Sequence, residues 1–78
     1  MSLYVTGVIR TRSKAPIGIL LTHYRDGLAR TSLVGYAHSS QAADSRCNRM
    51  NRNSSAGSHY CWRPITDGKI ALVNGEPA

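Results

Sequence analysis

The sequence predicts an α+β fold, a small antiparallel β-sheet domain in the order β-β-β-α-β-β with a single short helix. Three observations carry this. Strand-like runs fill both ends of the chain. Asp-Gly pairs at Asp26-Gly27 and Asp67-Gly68 stand where two-residue hairpin turns belong. Only residues 38–53 space apolar side chains at helical intervals. The 78 residues read as a single small domain, with 74–78 as a loose C-terminal tail.

The first strand is expected over LYVTGVIRTR (3–12), with Leu3, Val5, Gly7 and Ile9 on one side and Tyr4, Thr6, Val8, Arg10 and Arg12 on the other. SKAP (13–16) is a turn cluster in which Pro16 fixes its own φ. IGILLTHYR (17–25), apolar and β-branched, reads as the central strand. A two-residue turn at Asp26-Gly27 sets a hairpin register of Arg25 opposite Leu28, His23 opposite Arg30, Leu21 opposite Ser32, Ile19 opposite Val34 and Ile17 opposite Tyr36. One face then carries Ile17, Ile19, Leu21, Val34 and Tyr36, with His23, Arg25 and Arg30 near the turn. Leu20, Thr22, Tyr24, Thr31 and Leu33 lie on the other.

In HSSQAADSRCNRMNRN (38–53), Ser39 or Ser40 suits an N-cap and Asp44 suits the positive end of the helix dipole. Ala43, Cys47 and Met50 form a narrow apolar stripe with Arg46, Arg49 and Arg52 along its flank. The asparagines weaken the helix, so fraying near Asn51 is expected. After a loop at 54–58, HYCWRPI (59–65) and KIALV (69–73) read as a second hairpin, with Pro64 marking an edge strand and Trp62 a core anchor. Every strand connection is short, which requires antiparallel pairing.

Charge is the unusual global property: ten Lys and Arg against four Asp and Glu give +6 at pH 7, with a pI near 10.0. Such a balance favours a polyanionic partner. Eight of the ten cations are arginine, whose planar fork suits phosphate and carboxylate, although the same composition is what a GC-rich genome produces. No apolar run approaches the roughly 20 residues of a membrane span, and MSLYVTG lacks the parts of a secretion signal. The expected compartment is the cytoplasm, with no membrane association.

Cys47 and Cys61 are expected as free, apolar thiols. The other possibilities are a disulfide tying helix to strand and, with His38 and His59, a tetrahedral metal site. The spacing of these four fits no standard zinc motif, so no metal or cofactor is expected. Asp26 and Asp67 serve turns, Asp44 a helix start, and Glu76 lies in the tail, which leaves no carboxylate pair for acid–base work. No phosphate-binding glycine loop is present. The chain is therefore expected not to be an enzyme.

The functional candidates are three basic groups: Arg46, Arg49 and Arg52 on the helix, Arg25 and Arg30 at the hairpin tip, and Arg10, Arg12 and Lys14 around the first turn. Arginine and asparagine are the side chains that read guanine and adenine in the major groove. The first expectation is a non-enzymatic basic module that contacts nucleic acid through these residues. In size and in lacking a catalytic set, the chain also resembles short accessory proteins of phages and mobile elements. That makes a small inhibitor or adaptor, docked on an acidic surface of a larger host protein, the alternative. Exposed strand edges would also permit a homodimer.

Overall fold

Ile17, Gly18, Ile19, Leu20 and Thr22 are consecutive or alternate residues of one strand, and all are buried, so this strand must be covered on both faces. The rest of the chain supplies the two covers. The computed structural model describes residues 6–12, 14–54 and 56–78. Its elements are β1 (Gly7–Arg10), β2 (Ile17–Arg25), β3 (Leu28–Ala37), α1 (Ser40–Arg52), β4 (Ser58–Pro64), β5 (Lys69–Val73) and β6 (Glu76–Pro77). Two three-stranded sheets result, β3-β2-β4 and β1-β5-β6, and every ladder is antiparallel. The α+β class with one short helix is thus observed, and β2 is the central strand of its sheet.

Helix α1 lies on one face of the β3-β2-β4 sheet. Its stripe of Ala43 and Cys47, with Met50 beside it, packs on Ile17, Ile19, Ala37, Tyr60 and Trp62. The β1-β5-β6 sheet covers the opposite face. There Gly18 leaves the space that Ile70 fills: a Cβ at Gly18 would stand 2.6 Å from Ile70 Cδ1 and 3.0 Å from Leu33 Cδ1. The hydroxyls of Thr22 and Thr31 bond each other at 2.9 Å, and Thr31 Oγ1 donates to the Gly75 carbonyl of the second sheet. The buried hydroxyl of Thr22 is satisfied in this way.

The β2–β3 hairpin follows the expected register from Arg25/Leu28 to Leu20/Leu33, then shifts by one residue so that Ile19 faces Gly35 and Ile17 faces Ala37. Val34 is the extra residue of the bulge. The expected placement of Val34 and Tyr36 beside Ile19 and Ile17 is therefore corrected. Gly35 and Ala37 take those places, where a bare backbone and a single methyl let the helix approach, and Val34 stays exposed.

The second expected hairpin is also corrected. Asp67-Gly68 does form a tight turn closed by reciprocal Thr66–Lys69 bonds, with φ of 53° and 70°. The chain, however, leaves the first sheet at Pro64 and Ile65, and β5 pairs with β1, not with β4. Strand β1 is expected over 3–12 and observed at 7–10, where Ile9 pairs with Ile70 on the inner face and Val8 and Arg10 lie outside. Leu3, Tyr4 and Val5 fall outside the described residues. The tail expected to be loose instead turns at Asn74-Gly75 (φ 53° and 83°) into β6, which pairs with β5. A Cβ at Gly75 would lie 2.1 Å from the Ala29 carbonyl oxygen, so only glycine lets this turn touch β3.

Two expectations for the helix ends change as well. Ser39 is the N-cap, accepting from the Ala42 amide at 3.2 Å, but Asp44 is not in the first turn; it accepts from the Trp62 indole at 2.5 Å. Asn51 does not mark a frayed end. Its amide group donates to the Tyr60 carbonyl at 2.9 Å and accepts from the Tyr60 amide at 2.7 Å. The bonds Ile65 N to Pro16 O and Tyr24 N to Gly57 O fix which residues of β4 face β2, and Tyr60 alternates with them, so its backbone points outward. Asn51 therefore completes an edge strand that would otherwise present unpaired groups. The Trp62 carbonyl accepts from Arg63, and Pro64 has no amide hydrogen to offer. Along this edge of β4, the Tyr60 amide and carbonyl and the Trp62 carbonyl are thus engaged by side chains of the same chain.

Asn51→Ala removes both bonds to Tyr60 and leaves two polar backbone groups beside the core. A loss of about 1–3 kcal/mol is expected in urea unfolding, with faster hydrogen exchange at the Tyr60 amide. Gly75→Ala should be at least as damaging, because a backbone carbonyl at 2.1 Å cannot move aside as a side chain can.

Candidate functional site

The charged residues separate into two groups because β2 is long and its two covers are offset in kind. At the hairpin end, His23, Arg25 and Arg30 share the helix-side face of the first sheet, the face of Ile17, Ile19 and Leu21. Helix α1 runs toward this end: Arg46 reaches Tyr36 near the far end of β3, whereas Asn51 meets Tyr60 opposite Leu21. Arg49 lies one turn beyond Arg46 on the same flank, and Arg52 closes the last turn. The helix flank and the hairpin tip therefore present Arg25, Arg30, Arg49 and Arg52 at one end and on one face. All four are exposed.

Their partners are few. Among the described residues the only ion pair is Arg25 Nε with Asp26 at 4.0 Å, and both side chains are more than four-fifths exposed, so the pair holds little. His23 Nδ1 lies 2.9 Å from Ser58 Oγ. Arg49 and Arg52 sit favourably at the negative end of the helix dipole, which accounts for their position but leaves their guanidinium groups unpaired among the described residues. Among the described residues Leu28 is the most exposed large apolar one, 74% accessible beside Arg25 at the tip, and Val34 is 47% accessible along the same strand.

Arg46 differs from its two helix neighbours. It donates to the Tyr36 carbonyl at 2.7 Å, and its guanidinium lies over Gly35, where a Cβ would meet Nη2 at 3.1 Å. It fastens the helix to the bulged strand. Arg63, absent from the sequence candidates, is similarly engaged, with Nε on the Ala78 carbonyl and Nη1 on the Trp62 carbonyl.

Arg10, Arg12 and Lys14 lie elsewhere. Arg10 pairs directly across β1 and β5 with Lys69, on the outer face of the second sheet, and Arg12 and Lys14 follow in the connection to β2. All four are exposed. Thr11 bonds Gly68 at 2.8 Å and Ile65 bonds Pro16 at 2.8 Å, which fixes this group at the end of the molecule opposite the hairpin tip. Lys69 joins this group because β5 pairs with β1 and not, as the sequence pattern suggests, with β4. Like charges directly across a ladder are unfavourable, and no acid forms an ion pair with either among the described residues.

The remaining chemistry is structural. Asp26 and Asp67 hold left-handed turn positions with φ of 53° each, and Asp44 is held by Trp62. Glu76, expected in a free tail, accepts from the Tyr24 hydroxyl, and that bond raises the Tyr24 pKa. Cys47 is buried under the helix, whereas Cys61 pairs with Leu20 and faces the second sheet; both are free. Burial, the main cause, raises both thiol pKa values. Of the metal candidates, His38 is exposed in the β3–α1 connection and His59 on β4, and no group of three His, Cys, Asp or Glu is placed to hold a metal among the described residues. No helix is long and apolar enough to cross a membrane among the described residues.

Comparison with family models, with curated proteins and with solved structures finds no match to this chain.

The cysteine environments give a direct check. Raised thiol pKa values leave less thiolate near pH 8, so iodoacetamide should modify the folded protein more slowly than free cysteine, and the rate should rise with pH. Intact-mass spectrometry before and after addition of denaturant reads this, and a mass two hydrogens light would instead report a disulfide.

Proposed function

We propose that this protein is a non-enzymatic, cytoplasmic binding module that contacts nucleic acid through its arginines, with the hairpin tip and the end of α1 as the primary contact. The observation supporting this is that Arg25 and Arg30 at the hairpin tip and Arg49 and Arg52 at the end of α1 are all exposed, with a single weak acid partner among the described residues. A guanidinium without a protein carboxylate is free to take a phosphate oxygen pair. These contacts depend on charge, and Arg30 and Ser32, exposed on the same side of β3, can take successive positions along a backbone.

Four phosphate contacts imply a log–log salt slope of roughly −3.6 on duplex DNA. In titrations followed by amide NMR, a short duplex should shift resonances of 25–30 and 49–52. Replacing Arg25, Arg30, Arg49 and Arg52 by Gln should abolish those shifts while leaving the folded spectrum intact. Unchanged shifts in the quadruple variant, or binding indifferent to salt between 50 and 200 mM, would overturn the reading.

A second reading, an inhibitor or adaptor that binds a larger protein, is favoured by Leu28, whose exposed apolar surface stands beside Arg25 and Arg30 at the hairpin tip. An apolar anchor ringed by cations suits an acidic protein surface. Capture from lysate that survives nuclease and raised salt, and is lost in Leu28→Ser, would support this reading over the first.

A further inference from the structure

We infer that the protein carries a second polyanion contact, formed by Arg10, Arg12, Lys14 and Lys69, and bridges two separate segments of duplex nucleic acid. The inference rests on the nucleic-acid reading above and extends it.

The two cationic groups differ in both end and face. Arg25, Arg30, Arg49 and Arg52 lie at the hairpin end on the helix side of the first sheet. Arg10 and Lys69 lie at the opposite end on the outer face of the second sheet. Between them stand two sheets and a helix, and the body measures 33 × 31 × 24 Å. Duplex DNA has a persistence length of about 150 bp, so a short segment does not wrap around a body of this size without a large bending cost. One straight duplex can reach one group and not the other.

The second group also has a feature that folding does not explain. Arg10 and Lys69 are direct cross-strand neighbours of like charge, which is destabilising in a ladder. Arg12 and Lys14 add two more exposed cations within a few residues, and the only acid nearby in sequence, Asp67, is committed to a left-handed turn. A phosphate backbone laid across β1 and β5 would relieve this repulsion. By contrast, Arg46 and Arg63, both level with Gly18, are engaged with backbone carbonyls. The cations of the two groups thus differ from these two, whose guanidinium groups are tethered to backbone.

The experiment uses one biotinylated 30-bp duplex fixed to beads and a second, fluorescent 30-bp duplex in solution. The parent protein should hold the fluorescent duplex on the beads, and rising salt should release it. The variant Arg10→Gln, Arg12→Gln, Lys14→Gln, Lys69→Gln should still bind the fixed duplex but lose capture of the second at least tenfold. Arg25→Gln, Arg30→Gln, Arg49→Gln, Arg52→Gln should lose it likewise. Circular dichroism of both variants checks that they fold, and removal of the Arg10–Lys69 repulsion should leave the first at least as stable as the parent. Binding of the fixed duplex without capture of the second by the parent protein overturns the bridge alone. Capture retained by either variant also overturns it, because bridging would then come from self-association. No binding to the fixed duplex overturns the nucleic-acid reading and the bridge together.

Discussion

Burial of β2 on both faces is the constraint on which the rest depends. A strand carrying Ile17, Ile19, Leu20 and Thr22 all inside cannot sit in a sheet with one wet side. A chain of 78 residues has little material with which to make two covers. One helix turns its narrow apolar stripe to one face, and a second sheet drawn from both ends of the sequence closes the other. Small residues at the contacts make this economy possible: Gly18 admits Ile70, while Gly35 and Ala37 admit the helix and the Arg46 side chain.

Local signals in the sequence were legible where local chemistry decides. The turn at Asp26-Gly27, the Ala43–Cys47–Met50 stripe, the Ser39 cap and the central role of β2 all follow from propensity and period. What failed was partner choice. The sequence pattern of β4 and β5 around Asp67-Gly68 is that of a hairpin, and nothing local shows that Pro64 sends the chain into a different sheet. The bulge at Val34 was hidden because it answers a tertiary need, the close approach of α1. Asn74-Gly75 was a missed signal of a kind already recognised twice, since Asn-Gly is as strong a hairpin marker as Asp-Gly.

The same division applies to the charged residues. Composition identified a basic chain, and spacing placed Arg49 and Arg52 together on the helix. Whether the three basic groups converge depends on which strands pair, and that was decided by the sheet order. Once β1 belongs with β5, Arg10 leaves the hairpin arginines and joins Lys69. Asn51 shows the opposite error. Its low helix propensity is real, yet a side-chain amide that matches a backbone pair across 2.7 and 2.9 Å outweighs a few tenths of a kcal/mol of propensity.

Strand β1 pairs with β5 through Gly7 opposite Leu72, so the second sheet joins the beginning of the chain to its end. Until β5 is made and pairs with β1, the Gly18–Leu20 side of β2 stays bare. The helix and the first hairpin are neighbours in sequence and can dock early. Pairing over so long a sequence separation is slow, so folding passes through an interval with an apolar sheet face in water.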